Sequence, residues 1–205
     1  MMRCTLKSFC VSMIFLLAVS SPAWAQGIAA GSGEVTGNIG FSNLKGVDNG
    51  RHASFGGSGT YNFSELIGVG FEYNYQMMGS ETISGVTGTE HMQTYGAVAR
   101  FALAKSTRVV PYVLVAAGGE SMRDVVSAGN LSVSASQSGY YVGFGGGASI
   151  YAGTNWGIRP EFRYERQQFT ATTIDNISVG AFGQNYVQGT VAIFYQFGGR
   201  RSQRN

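Results

Sequence analysis

Residues Tyr186–Phe197 read YVQGTVAIFYQF. Val187, Gly189, Val191, Ile193, Tyr195 and Phe197 occupy one phase, and Gln188, Thr190, Ala192 and Gln196 the other, with Phe194 the exception. Alternation of period two gives a β-strand one apolar and one polar face. The segment ends on an aromatic residue with apolar residues two and four positions before it.

Upstream, the same pattern recurs. Val35, Ile39 and Phe41 oppose Glu34, Thr36, Asn38 and Ser42 in a first strand over Glu34–Ser42. Ala53, Phe55, Tyr61 and Phe63 oppose Ser54, Ser58, Thr60 and Asn62 in a second. A third, Ile67–Met77, sets Ile67, Val69, Phe71, Tyr73 and Tyr75 against Gly68, Gly70, Glu72, Asn74 and Gln76. His91–Leu103, Val109–Glu120, the segment around Tyr140–Ile150 and Trp156–Phe169 complete a set of eight. Val109–Glu120 is apolar on both faces, so its phase stays open. A change of phase near Gly139 predicts a bulge there.

The connections alternate in length. Asn43–His52, Gly79–Glu90, Ser121–Gln137 and Thr170–Asn185 are long polar loops; Ser64–Leu66, Ala104–Arg108 and Gly153–Asn155 are short turns. Strands of about ten residues suit a tilted crossing of a bilayer, and long loops on one side with short turns on the other suit an outer-membrane barrel. The expected fold is all-β: an eight-stranded antiparallel up-and-down transmembrane β-barrel. An even strand number puts both termini on the short-turn, periplasmic side.

Residues 1–25 read as a cleaved secretory signal. Arg3 and Lys7 form a basic start, Phe9–Val19 an apolar run too short to span a bilayer, and Ala23-Trp24-Ala25 a cleavage site before Gln26. Residues 26–33 are a flexible lead-in, 34–197 the barrel, and 198–205 a basic periplasmic tail carrying Arg200, Arg201 and Arg204. Both cysteines, Cys4 and Cys10, lie in the signal, which removes disulfides, thiolate metal sites, a catalytic thiol and a lipoprotein anchor from consideration. Taking Arg3 and Lys7 from the 14 basic residues leaves 12 against 11 acidic ones, a balance unlike that of a nucleic-acid binder. No apolar window long enough for a transmembrane helix follows Ala25.

The same alternation occurs in soluble barrels, so the outward face must be argued. The polar face is mostly Gly, Ser, Thr, Asn and Gln, with too few charges for a water-exposed surface. Tyr61, Phe63, Trp156, Tyr195 and Phe197 gather toward the turns, and Tyr73, Tyr75, Tyr95 and Tyr164 toward the loops, like two interfacial girdles. The apolar face therefore meets lipid. The polar face then lines the lumen, where Arg159, Glu161, Arg163 and Glu165 fall at two-residue spacing, and Glu72 and Arg100 lie on adjacent strands at heights that meet if the 79–90 loop is symmetric. Buried charges must pair. They form either a structural plug or an ion-selecting constriction.

With the strands placed, the chain resembles the small outer-membrane barrels: the OmpA-type transmembrane domain, OmpX-like proteins and opacity-type surface proteins. The resemblance covers Glu34–Phe197 and rests on the signal, the eight strands, Pro111-Tyr112, the run Arg159–Tyr164 and Phe197. It implies that Val191, Ile193, Tyr195 and Phe197 form the strand read by the barrel-assembly machinery. It also implies a monomer in contact with outer-membrane lipid and lipopolysaccharide, whose loops meet host or surface ligands, with no cofactor. The chain departs from the family in that only eight residues follow Phe197, so no periplasmic peptidoglycan-binding domain is expected. Arg166, in phase with Tyr164, is a candidate lipopolysaccharide contact. The transport alternative is a narrow porin.

Two motif matches carry little. Gly143-Phe144-Gly145-Gly146-Gly147-Ala148 fits a dinucleotide pattern but lies inside a strand with no helix after it. His52 and Ser54 resemble the His-x-Ser pair of lipid A deacylases, yet they phase toward the lumen without a carboxylate orienter.

Overall fold

The computed structural model describes residues 27–45, 52–83, 86–105, 108–128, 131–174 and 177–200. The expected signal, Met1–Ala25, and the tail residues Arg201 and Arg204 lie outside them. Eight strands make a closed antiparallel barrel: β1 (Ala30–Lys45), β2 (His52–Asn62), β3 (Ile67–Ile83), β4 (Val86–Ala102), β5 (Val109–Ala128), β6 (Leu131–Tyr151), β7 (Trp156–Phe169) and β10 (Phe182–Arg200). Two short strands, β8 (Thr172–Ile174) and β9 (Ile177–Val179), form a separate hairpin. Neighbours in sequence are neighbours in the sheet, and β1 closes the barrel against β10 from Ala30↔Arg200 to Lys45↔Asn185.

Closure moves the expected boundaries. The lead-in expected at 26–33 is strand from Ala30, and the tail expected from 198 is strand through Arg200, because each supplies ladder partners to the other. Gly198 and Gly199 adopt positive φ (67° and 85°), the kind of backbone that glycine reaches without strain.

The loops expected at Gly79–Glu90 and Ser121–Gln137 are mostly strand. β3 and β4 stay paired to Ile83↔Val86, and β5 and β6 to Ala128↔Leu131. Because β4 and β5 also pair out to Val86↔Ala128, the four strands continue past the barrel rim as one sheet. Beyond the membrane, water hydrates both faces, so the apolar alternation fades while the backbone ladder persists. The bulge falls at Met77/Gly79, where Met78 is the extra residue and Gly79 takes φ 118°. At Gly139 the β5–β6 register runs unbroken, so the phase change there marks the exit from the membrane.

β5 takes a definite phase. Val110, Tyr112, Leu114 and Ala116 are buried inward, while Pro111, Val113 and Val115 face out. The outward face carries a continuous apolar band. Ile39, Phe41, Phe144, Phe162 and Ile193 are each between 60% and 71% exposed, a surface that water would not tolerate at this extent. Aromatic girdles border it, with Tyr195↔Trp156 paired near the short turns and Tyr73↔Tyr95 nearer the hairpins. Phe197 lies over Gly33, where a Cβ would come within 2.5 Å of the ring.

Candidate functional site

The lumen is filled in layers. At the short-turn end, Ala102, Val110, Tyr151 and Phe194 pack together with Ile28 and Leu66 against them. Beside this plug, Ser32 Oγ accepts from Gln196 Nε2 at 2.6 Å and from Asn62 Nδ2 at 2.9 Å.

The next layer centres on Glu34. Its carboxylate accepts two bonds from the Arg159 guanidinium at 2.7 Å each and a third from Arg100 Nη1 at 2.8 Å. Arg100 also donates to Thr60 Oγ1 and Ser58 Oγ, and Arg159 Nε to Ser149 Oγ. The Arg159 guanidinium lies 4.6 Å from the Phe194 ring centroid, a cation–π contact.

One layer up, Arg163 is the hub. It donates to Glu72 at 2.6 and 2.7 Å and to Glu161 Oε1 at 2.5 Å, with Glu165 3.9 Å away. Tyr112 donates to Glu161 Oε2 at 2.5 Å and Tyr141 to Glu72 Oε1 at 3.1 Å. Toward the hairpins lie Glu120 and Gln167, both fully buried, then a cap of Met78, Met92, Phe169 and Tyr186 with Met122 against it.

Glycine makes this filling possible. A Cβ on Gly143 would meet Glu165 Cγ at 2.8 Å, and one on Gly145 would meet Arg163 Cγ at 3.0 Å and the Phe162 carbonyl at 2.3 Å. The run that resembled a nucleotide-binding pattern is the bare wall against which the charged side chains lie. The void left among Thr36, Asn38, Ser58, Glu72, Arg100 and Arg163 measures about 20 Å³, room for a single water.

All six charged residues singled out from sequence lie on the lumen side, but their pairing differs from expectation. Glu72 and Arg100 do not meet. The β3–β4 register sets Glu72 opposite Gly96 and Arg100 opposite Gly68, four residues apart on the strand, roughly 13 Å. Arg100 goes to Glu34 and Glu72 to Arg163. Glu34, Glu120, Tyr112 and Tyr141 escaped the sequence reading. The inward alternation flagged Glu34 as polar, but its partners stand 66 and 125 residues away, at a distance only the stagger of a closed barrel reveals.

His52 and Ser54 are buried toward the lumen, where Ser54 Oγ accepts from Gln188 Nε2 at 3.0 Å and His52 contributes its carbonyl to Ser42. Arg166 faces outward and is exposed. Val191, Ile193, Tyr195 and Phe197 all face outward. Among the described residues, no group of three or more His, Cys, Asp or Glu is placed to hold a metal.

A closed eight-stranded barrel with an apolar exterior, aromatic girdles and a polar, filled interior defines an integral outer-membrane barrel. The chain belongs to the outer membrane protein beta-barrel domain family, whose model matches residues 11–192. Among solved structures it is similar to Ail, the attachment invasion locus protein of Yersinia pestis, at 17% identity and TM-score 0.55, over 82% of this chain and 99% of that one. It is also similar to Neisserial surface protein A, at 15% identity and TM-score 0.57, over 83% and 99%. Ail is also known in complex with the heparin analogue sucrose octasulfate, and that structure matches at 17% identity and TM-score 0.57, over 82% of this chain and 99% of that one. No curated protein matches the chain.

Proposed function

We propose that the protein is a non-conducting, non-enzymatic monomer of the outer membrane. Its plugged barrel is a structural anchor, and its hairpins meet surface ligands. In this reading the charged lumen residues are structural, the termini are periplasmic, a signal peptide directs export, and the last strand is the element read by the barrel-assembly machinery. The observation that carries it is the lumen: two ion-paired layers between two apolar plugs, with a void of about 20 Å³ among the charged side chains. Buried His52 and Ser54, the latter engaged by Gln188, speak against lipid A chemistry, which needs a nucleophile open to lipid.

The hairpin sheet is where contact is made. On β3, Gly79–Ile83 runs beyond the last β2 partner, Met77↔Ala53, and on β6, Leu131–Ser138 runs beyond the last β7 partner, Gly139↔Phe169. Among the described residues neither stretch pairs with a further barrel strand, although Ser138 accepts from Thr170 N, and such edges are open to added strands. Ail binds a sulfated glycan analogue, which makes polyanionic surface sugars a second ligand class to screen.

Planar-bilayer recording of the refolded barrel, with Glu161→Gln and Arg163→Gln alongside, tests the plug. A silent bilayer, with insertion verified by heat-modifiable gel mobility, is expected. Discrete steps whose selectivity changes in the variants would make the protein a narrow porin. Shortening the β5–β6 hairpin between residues 121 and 138 should abolish surface binding and leave the barrel folded.

A further inference from the structure

One region of the lipid-facing wall is concave. A hollow of about 870 Å³, almost wholly apolar, opens outward across β2, β1, β10, β7 and β6. The register explains its shape. Gly189 on β10 stands directly between Phe41 on β1 and Phe162 on β7. Two strand spacings separate the phenylalanines, about 10 Å, so two aromatic walls rise on either side of a bare floor. Beyond Phe162 the next position is Gly146, and beyond Phe41 it is Ala53, so the walls stand clear of their surroundings.

The glycine floor has no explanation inside the chain. A Cβ on Gly189 would meet nothing within 4 Å, so packing does not require glycine there, and glycine in a strand interior is costly. In a bilayer such a slot does not stand empty. Its upper end carries charge complementary to a lipid headgroup. Four residues above Gly189 on β10, Asn185 pairs with Arg166, on the strand that bears Phe162. Arg166 is exposed and forms no ion pair among the described residues. It stands four residues from Phe162, roughly 13 Å, within the half-thickness of a ~30 Å hydrocarbon core.

We infer that the Phe41–Gly189–Phe162 slot seats one acyl chain of a lipid A molecule, whose phosphate is met by Arg166 at the hairpin end. The inference takes from the proposed function only that the hairpin end faces outward. It is independent of what the hairpins bind or whether the lumen conducts.

The test uses the full chain refolded in detergent with lipid A, followed by native mass spectrometry of retained lipid. Three variants are compared: Gly189→Leu, which fills the floor; Arg166→Gln; and Gly59→Leu. Gly59 is likewise an outward glycine with nothing within 4 Å of a Cβ, but it lies outside the slot. Gly189→Leu and Arg166→Gln should each lower lipid A retention by about tenfold, and Gly59→Leu should leave it unchanged, all with native heat-modifiable mobility. Equal retention in Gly189→Leu and Gly59→Leu overturns the slot. Retention of phosphatidylethanolamine in place of lipid A overturns the ligand. Crosslinked dimers of the wild type that vanish in Gly189→Leu would assign the slot to a second copy and overturn the lipid assignment. Conductance is recorded separately, so failure of the plugged-lumen reading is read independently.

Discussion

Two glutamates in one lumen should respond very differently to the same substitution. Glu34 accepts three charge-assisted hydrogen bonds at 2.7–2.8 Å from Arg159 and Arg100. Such bonds contribute about 1.5–3 kcal/mol each, and removing one partner of a buried ion pair costs about 3–5 kcal/mol because the surviving charge stays buried. Glu34→Gln keeps the shape and one acceptor, yet strands two guanidiniums on the lumen side. The expected loss is about 3–5 kcal/mol, a hundred- to several-thousand-fold shift in the folded ratio. Glu165 has only Arg163 at 3.9 Å, and Arg163 is already engaged by Glu72 and Glu161. Among the described residues the lumen holds five carboxylates (Glu34, Glu72, Glu120, Glu161, Glu165) against three guanidiniums (Arg100, Arg159, Arg163). Glu165→Gln therefore removes a surplus buried negative charge without breaking a hydrogen bond, and should leave stability unchanged or raise it. Equilibrium urea unfolding from lipid vesicles, followed by Trp156 fluorescence, measures both. A Glu34→Gln loss under about 1 kcal/mol, or equal losses in the two variants, would refute the division of the lumen into bonded and surplus acids.

Three further outcomes follow from the same geometry. Tyr112→Phe removes the donor to Glu161 Oε2 and should cost about 1.5–3 kcal/mol in the same unfolding assay. Gly145→Ala forces a Cβ to 2.3 Å from the Phe162 carbonyl and should lose about 1–3 kcal/mol, whereas Gly59→Ala, facing open space, should gain about 0.5–1 kcal/mol. Phe71→Arg, on the lipid band, should cost about 2–4 kcal/mol in vesicles, while Ser80→Arg on the hairpin sheet should cost less than about 1 kcal/mol.

The barrel is legible in sequence because the bilayer enforces the alternation: each outward residue meets lipid and each inward one does not. Ile67–Met77 and Tyr186–Phe197 show it almost without exception. Where that constraint stops, the signal stops. Val125 and Ser134 pair as firmly as Leu114 and Gly145, but with water on both sides their identities say nothing about strand or loop. The lumen was half legible. Inward charges announced themselves by phase, yet who meets whom depends on stagger. Four residues of register divert Arg100 from Glu72 to Glu34, and no local pattern encodes that offset. Tyr112 and Tyr141 were hidden for another reason: each is an inward aromatic in a stretch where outward neighbours are apolar too.

The seam between β1 and β10 joins Ala30 to Arg200, nearly the whole length of the chain. Hairpins between successive strands can zip locally, but this ladder waits for the last residues to arrive. Loop-closure entropy then opposes it, and contacts of such separation form slowly. Until then the sheet is a curved ribbon with two raw edges, each a template for the wrong neighbour. The Glu34 bonds reach from β1 to β4 and β7, across the lumen rather than along the ladder. They act as a latch that engages only after the ribbon has curled: until β1 docks, Arg100 and Arg159 are without the carboxylate of Glu34.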